Sequence, residues 1–161
     1  MNKPVPKIIS FLFVLRWPLV FRCVRWFIKK LIPNLKNSRF SSWFECQYGN
    51  VICEENTLLV DTKFLDYWNI YIWEWTSFTR GNICITWDHP MEYRDGKYCR
   101  GTTSKDIHIW KNCWITTNCI ILSGVRIGDN VTIWAWSVVT KDIPPNCIAA
   151  WVPCKVIRFI E

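Results

Sequence analysis

The chain has 161 residues, half of them hydrophobic and a fifth of them charged, which predicts one packed domain with an extension. The formal net charge of +7 arises in residues 1–40, which contain nine Lys and Arg and no acidic residue. The remaining residues carry eleven basic and thirteen acidic side chains, so the body of the protein is nearly neutral. This distribution, without a recognised nucleic-acid module, argues against a nucleic-acid-binding domain.

Residues 1–33 alternate apolar blocks with cations and predict a basic amphipathic helical arm, which a polar linker over 34–45 joins to the rest. The longest uncharged run, residues 8–15, is far shorter than the roughly 20 residues that span a bilayer, and no small-residue cleavage site follows it. Two interpretations stay open: the arm lies on an anionic membrane surface, or it packs on the domain and covers edge strands. We expect a cytoplasmic protein, with peripheral contact to the inner face of the membrane under the first interpretation.

Nine cysteines are scattered along the chain without a C-x-x-C pair or the spacing of a disulfide framework. This pattern predicts reduced, mostly buried thiols that fill small apolar gaps in a cytosolic protein. A metal site is not expected, because four ligands at tetrahedral spacing are missing.

Residues 46–87 predict short, irregular strands, and residues 88–106 interrupt them with charged and turn-forming side chains. The interruption begins with Asp88-His89-Pro90 and predicts a loop extruded from the domain. Loops of this kind on a rigid scaffold commonly carry functional residues, which makes His89 a candidate.

Isoleucines recur every six residues in the last third, at Ile109, Ile115, Ile121, Ile127 and Ile133. A period of six predicts short strands joined by tight turns, with three strands in each triangular coil. Each coil buries its apolar residues only by stacking on its neighbours. The repeat therefore predicts a parallel β-helix.

Three segments of the last third resemble the hexapeptide-repeat acetyltransferases: I-G-D-N-V-T at 127–132, the run 137–145 and the closing run 149–158. The motifs are most similar to those of maltose and galactoside O-acetyltransferases and polysaccharide-modifying acetyltransferases. The resemblance covers residues 46–158 and implies an all-β, left-handed parallel β-helix in a homotrimer, with residues 159–161 as a tail. It also implies acetyl transfer from acetyl-CoA to a hydroxyl of a sugar or envelope glycan.

The resemblance points to His89 as the catalytic residue, because relatives place a histidine at the end of a coil strand, before a proline. His89 precedes Trp114 by 25 residues, which matches the spacing to the tryptophan of the family's W-I motif. Imidazole suits a general base for an alcohol at neutral pH. An acid or a carbonyl should hold its second nitrogen, with Asp88, Glu92 and Asp95 as candidates.

For acetyl-CoA, the resemblance implies a groove between neighbouring subunits along the late coils. The positions that match the family's cofactor residues are Thr117, Ala135, Thr140, Lys141, Lys155 and Arg158. Of these, Lys155 and Arg158 are two cations near the end of the chain and suit the nucleotide phosphates.

The acceptor pocket is expected in the early coils, and the substrate-binding candidates are Asp61, Asp66 and Trp114. Trp114 stands where relatives carry a tryptophan. The two aspartates could bind sugar hydroxyls, or they could accept hydrogen bonds from backbone amides at coil corners. The basic arm favours a membrane-proximal acceptor, such as a lipid-linked or envelope glycan, over a free disaccharide.

Three other functions compete with O-acetyl transfer. The chain could be a non-catalytic or damaged β-helix scaffold, or it could acetylate the nitrogen of an amino sugar with the same base. A β-helix carbonic anhydrase needs three zinc-binding histidines, whereas this chain has two. Of these, His108 alternates with apolar residues in a repeat and is expected to be structural.

Tryptophan replaces glycine at many positions of the family pattern, and the chain contains 12 Trp against 6 Gly. The positions concerned are Trp68, Trp73, Trp75, Trp87, Trp110, Trp134, Trp136 and Trp151. Corners of a coil often need a positive φ, which glycine adopts without steric cost. One hypothesis is that the gene encodes glycine there through a codon that is read here as tryptophan. The alternative is that the tryptophans are genuine and the chain is a divergent or damaged homologue.

Overall fold

The computed structural model describes residues 38–40, 45–89 and 91–161, and the regular elements among them are β-strands. The predicted arm over 1–33 lies outside the described residues, as does most of the linker over 34–45. Within the described residues no helix is long and apolar enough to cross a membrane. The strands are β1 (Arg39–Phe40), β2 (Glu45–Cys46), β3 (Val51–Cys53), β4 (Leu58–Leu59), β5 (Thr62–Leu65), β6 (Ile70–Ile72), β7 (Ser77–Phe78), β8 (Asn82–Ile85), β9 (Trp87–Asp88), β10 (Met91–Arg94), β11 (Lys97–Arg100), β12 (Thr103–Ser104), β13 (Ile107–Ile109), β14 (Trp114–Ile115), β15 (Ile120–Ile121), β16 (Arg126–Ile127), β17 (Val131–Ile133), β18 (Val138–Val139), β19 (Cys147–Ala150) and β20 (Lys155–Phe159).

The strands form a triangular prism of stacked coils, in which each coil adds one strand to each of three parallel sheets. Sheet A has the order β1-β4-β7-β14-β17-β19, with β20 added antiparallel to β19. Sheet B has the order β2-β5-β8-β15-β18. Sheet C has the order β3-β6-β13-β16 and ends with a bridge from Ile127 to Ile143. The predicted parallel β-helix is therefore confirmed.

The predicted isoleucine ladder forms the centre of the late coils. Its fully buried members are Ile109, Ile115, Ile121, Ile127 and Ile133. Successive coils align them in register, so that Ile109 pairs with Ile127 and Ile115 with Ile133. Burying one such side chain contributes about 1.5–3 kcal/mol, and stacking repeats this gain in each coil. In the early coils, larger side chains such as Phe64 and Phe78 are fully buried in the interior.

Left-handed backbone recurs at the corner between sheets C and A, where Asn56, Asn112, Asn130 and Asn146 have φ between 53° and 58°. Backbone hydrogen bonds link these corners from coil to coil, and Trp75 occupies the same column with a φ of 61°. Asparagine and glycine enter this region more readily than bulky residues, for which it is strained. The position of Trp75 fits the hypothesis that glycine is encoded there.

A second column, at the corner between sheets A and B, contains Asp61, Gly81, Asn118 and Trp136 at positive φ. Trp136 has a φ of 63° and is 71% exposed, so burial of its indole does little to offset the backbone strain. Trp151 has a φ of 89°, and its carbonyl accepts a hydrogen bond from the N–H of Val138 in β18. Glycine is the residue that adopts such values at no steric cost.

The cysteines with described side chains are free and buried: Cys46, Cys53, Cys84, Cys113, Cys119, Cys147 and Cys154. Burial raises the pKa of the Cys53 and Cys113 thiols to about 12. Both are therefore protonated at neutral pH and act as small apolar residues, as predicted. Among the described residues no group of three His, Cys, Asp or Glu is placed to hold a metal ion.

The segment predicted as an extruded loop over 88–106 lies between β8 and β13, where the chain forms strands β9 to β12 outside the three stacked sheets. At its base β9 and β12 pair antiparallel, with Asp88 opposite Thr103, and β10 and β11 form a hairpin beyond them. Both ends of the segment are thereby fixed to one edge of the prism. At the other end of the domain, β1 and Glu45 lie ahead of the predicted start at residue 46.

Candidate active site

A surface cavity of about 250 Å³, here called the edge pocket, opens on the prism edge between sheets B and C. Its lining residues are Gln47, Tyr48, Tyr67, Trp87, His89 and Thr102. The parallel stacking of β2, β5 and β8 brings three consecutive corners together, and the return of the extruded segment adds Thr102.

His89 is the histidine among the residues that line the edge pocket. Its Nδ1 lies 3.1 Å from the carbonyl oxygen of Gly101 and 3.4 Å from Oγ1 of Thr102. Because a carbonyl only accepts, Nδ1 carries the hydrogen and Nε2 keeps its lone pair. The ring is exposed and meets the Trp87 indole edge-on, with centroids 4.9 Å apart. In the neutral ring, this hydrogen bond leaves Nε2 as the nitrogen with a free lone pair.

The Gly101 carbonyl is the partner that the sequence left open as an acid or a carbonyl. Asp88 instead accepts the backbone N–H of His89, at 2.7 Å. Asp95 lies in the turn of the β10–β11 hairpin, and the side chain of Glu92 is not among those described. Gly101 reaches His89 across 12 residues through the β9–β12 pairing, a long-range contact that has no local sequence signal.

The remaining walls of the edge pocket are largely aromatic and uncharged. The rings of Tyr48 and Tyr67 meet edge-to-face, with centroids 5.5 Å apart, and the Tyr67 ring stacks on Trp68. Gln47 adds a side-chain amide that can both donate and accept hydrogen bonds. Such walls suit a neutral ring with hydroxyl groups, because aromatic surfaces contact its C–H groups while the amide binds hydroxyls. The sequence does not identify these residues, since the early coils lack a repeat that marks corner positions.

Asp66 is fully buried and does not line the edge pocket. Its Oδ1 accepts the backbone N–H groups of Gln47 and Tyr48, and its Oδ2 accepts that of Asn50. The Cys46 thiol also donates to Oδ2, at 3.1 Å. The pKa of this thiol is raised, mainly by its burial and secondly by the negative charge of the Asp66 carboxylate. Of the two interpretations that the sequence left open, these contacts match the corner residue that binds backbone amides.

Asp61 and Trp114, the other substrate candidates, lie on other parts of the prism and do not line the edge pocket. Asp61 occupies the corner between sheets A and B, where Arg80 Nε lies 3.7 Å from its Oδ2. Trp114 points outward from sheet A and is 52% exposed. It lines a second surface cavity, of about 600 Å³, together with Asn112 and Asn130.

Comparison with known proteins places this prism in a family. The family profile described as bacterial transferase hexapeptide (six repeats) matches residues 106–141. A Staphylococcus aureus (strain Mu50) protein with a provisional acetyltransferase assignment is 51% identical over 142 residues, covering 83% of this chain and 70% of that protein. The chain belongs to the hexapeptide-repeat acetyltransferase family. Galactoside O-acetyltransferase from Escherichia coli (strain K12) is 59% identical over 55 residues, 34% of this chain and only 27% of that enzyme's length.

Solved structures support the same assignment. A maltose O-acetyltransferase from Clostridium difficile 630 has a TM-score of 0.84 and 32% identity, over 96% of this chain and 84% of that chain. A galactoside acetyltransferase in complex with coenzyme A has a TM-score of 0.75 and 29% identity, over 96% of this chain and 78% of that chain. The fold of this hexapeptide-repeat acetyltransferase is the left-handed parallel β-helix that the resemblance implied.

In this family member, the predicted cofactor residues fall on separate edges of one prism. Thr117 and Ala135 lie at the corner between sheets A and B, where the Trp136 N–H donates to the Thr117 carbonyl. Thr140 and Lys141 lie at the corner between sheets B and C, which is also the edge of the pocket.

The two predicted phosphate-binding cations, Lys155 and Arg158, are exposed on β20, the strand added to the end of sheet A. Ala135, at the corner between sheets A and B, is flanked by the exposed indoles of Trp134 and Trp136. One chain therefore does not gather the six predicted cofactor positions into a single groove.

His108, the second histidine, lies in β13 on the outer face of sheet C. Its ring stacks on that of Tyr71, with centroids 4.9 Å apart and planes 10° from parallel. It does not line the edge pocket, and its contacts agree with the structural role expected for it.

Proposed function

We propose that this protein transfers an acetyl group from acetyl-CoA to a hydroxyl of a sugar or glycan bound in the edge pocket, with His89 as general base. The observation that carries the proposal is the setting of His89. Its Nδ1 is held by the Gly101 carbonyl, and Nε2 is left as acceptor beside an uncharged aromatic cavity. An alcohol is a weak nucleophile near neutral pH and needs such a base.

The chemistry follows from these two ring nitrogens. Nε2 takes the proton of the acceptor hydroxyl as the hydroxyl oxygen attacks the thioester carbonyl carbon. The Gly101 carbonyl, as acceptor from Nδ1, holds the ring in place and stabilises the imidazolium that forms. When the carbon–sulfur bond breaks, the imidazolium returns the proton to the leaving thiolate, and the products are an acetyl ester and CoA.

The walls of the edge pocket favour a neutral sugar as the acceptor. Among the described residues, the six that line the pocket include neither Lys, Arg, Asp nor Glu, and so offer a carboxylate or phosphate no Lys or Arg as an ionic partner. A volume of about 250 Å³ lies just below the range of small-ligand pockets, about 300–1,000 Å³, and suits a single sugar ring.

For the acyl donor, we infer a homotrimer with the cofactor groove between two copies. This arrangement would combine residues on different prism edges, with Lys155 and Arg158 available to the nucleotide phosphates. An apolar ladder on the outer face of sheet B supports it, because Ile83, Ile120 and Val138 are half-buried there and a second copy would cover them. Light scattering of the purified protein tests the assembly.

The direct test is release of CoA thiol from acetyl-CoA in the presence of a neutral pyranoside, an amino sugar or an acidic glycan. We expect an acetyl ester with the neutral pyranoside, and a fall in kcat/KM of about 10²–10⁴-fold in His89→Ala. CoA binding, followed by calorimetry, should remain in the variant. Acetylation confined to nitrogen would favour the amino-sugar alternative, and CoA binding without transfer to any acceptor would favour a scaffold. Full activity in His89→Ala would remove His89 as the base.

A further inference from the structure

We infer that Asp66 is a positioning residue for the acceptor, which acts by holding the wall of the edge pocket opposite His89. The inference rests on the proposed function, because it assigns the edge pocket to the acceptor. It gives a role in the reaction to a carboxylate that touches neither the cavity nor the base.

The carboxylate of Asp66 has its hydrogen-bonding capacity filled. Oδ1 accepts from Gln47 N at 2.7 Å and from Tyr48 N at 3.0 Å. Oδ2 accepts from Asn50 N at 2.6 Å and from Cys46 Sγ at 3.1 Å. A carboxylate offers about four acceptor sites, so no lone pair remains for a substrate hydroxyl.

The corner that Asp66 binds is tied back to the corner that carries it. The Asn50 side-chain amide donates to the Asp66 carbonyl at 2.8 Å and reaches the Tyr67 carbonyl at 3.4 Å. Residues 46–50 and 66–67 therefore form one hydrogen-bonded unit across two coils. We call this unit the paired corner.

The paired corner carries three of the six residues of the edge pocket: Gln47, Tyr48 and Tyr67. The hydrogen bonds of the paired corner hold the backbone from which these side chains extend. Without Asp66, three partly buried amides would lose an acceptor, and the corner would rearrange to find others. A displacement of about 1 Å in a positioning group can lower a reaction rate by about 10²-fold.

The test compares Asp66→Asn with Asp129→Asn, because each removes one oxygen from a corner aspartate that binds backbone. Asp129 accepts a single amide, from Lys111 at 2.9 Å, and lies outside the edge pocket. We expect Asp66→Asn to raise the KM for the neutral acceptor by about tenfold, with the KM for acetyl-CoA unchanged. Asp129→Asn should change neither. An unchanged acceptor KM in a folded Asp66→Asn protein would overturn the inference.

A double-mutant cycle separates positioning from general stability. Gln47→Ala should raise the acceptor KM in the wild-type background and have little further effect in Asp66→Asn, because the side chain is already misplaced. Additive effects would contradict the role of Asp66 in holding Gln47. If Asp66→Asn fails to fold, Asn50→Ala loosens the same paired corner more mildly and should show the same selective change in acceptor KM.

Hydrogen exchange supplies a readout that does not depend on activity. The amides of Gln47, Tyr48 and Asn50 should exchange at least about tenfold faster in Asp66→Asn than in the wild type, and not in Asp129→Asn. Unchanged protection would overturn the inference even if the protein transfers acetyl groups. Conversely, a wild-type protein that acetylates nothing would end the proposed function, while faster exchange would still establish that Asp66 holds the corner.

Discussion

Among the described residues, the coils before residue 88 bury the polar side chains of Ser38, Thr57, Thr62, Asp66, Thr76, Asn82 and Thr86, whereas the coils after residue 106 bury only that of Ser137. The late interior otherwise consists of aliphatic side chains and cysteines. The edge pocket lies against the early coils, and none of its lining residues belongs to the late ones. Regular apolar stacking thus forms the late coils, and the early coils, which have a polar interior, carry the candidate site.

The buried polar side chains of the early coils form hydrogen bonds with the backbone of neighbouring coils. Thr76 Oγ1 donates to the Trp110 carbonyl and accepts the N–H of Cys113. Such contacts fix a corner through one particular side chain instead of through a repeated pattern. A corner built in this way can depart from the regular coil, as the paired corner at the edge pocket does.

The largest difference between the two regions should appear in catalysis. We expect His89→Gln to lower kcat by about 10²-fold or more, because the base is lost, and His108→Gln in the late coils to retain activity. Thermal melting of both variants gives the control, since His89 is exposed and its replacement should leave stability nearly unchanged. Equal losses of activity in the two variants would contradict the assignment of catalysis to the early coils.

The largest change in the free energy of unfolding is expected from a substitution in the interior of the late coils. Ile115→Ala removes a fully buried member of the ladder and should lower the free energy of unfolding by about 2–5 kcal/mol, through lost burial and the cavity that remains. Urea denaturation at fixed protein concentration measures it, with Ile157→Ala on exposed β20 as the control. A small effect of Ile115→Ala would mean that the ladder does not dominate stability.

A smaller but specific effect is expected from the polar interior. Thr76→Val keeps the shape of the side chain and leaves the Cys113 N–H and the Trp110 carbonyl without their partner. The expected loss is about 1–3 kcal/mol of unfolding free energy. Thr132→Val, on the outer face of β17, should stay within about 0.5 kcal/mol of the wild type. If the two variants unfold alike in urea, the buried threonine has no special role.

The smallest effect concerns the tryptophans at coil corners. Trp136→Gly should gain up to about 1 kcal/mol of unfolding free energy, because glycine relieves the strain at a φ of 63°. In contrast, Trp114→Gly, within strand β14, should lower the free energy of unfolding.

Sequencing the codons for Trp134 and Trp136 checks the origin of the pattern. Ordinary tryptophan codons in an organism with the standard code would end the glycine hypothesis.

The sequence predicts the late coils far better than the early ones, for a physical reason. The isoleucine ladder has a fixed period, so its burial and stacking follow from the spacing alone. His89 stands out by its place at the start of an interruption. Gly101, Gln47 and Tyr67 do not stand out, because pairings between distant strands, which leave no periodic signal, bring Gly101 to His89 and the other two to the same pocket. For Asp66 the sequence left two roles open, and only the positions of the partner amides distinguish them.

The proposal that His89 accepts the proton of a bound hydroxyl is tested most directly by a crystal structure with CoA and a neutral pyranoside. We predict an acceptor hydroxyl within about 2.6–3.2 Å of Nε2, and the CoA sulfur at the same mouth of the edge pocket. Nδ1 should still face the Gly101 carbonyl. A sugar bound elsewhere, or a CoA sulfur remote from His89, would contradict the account.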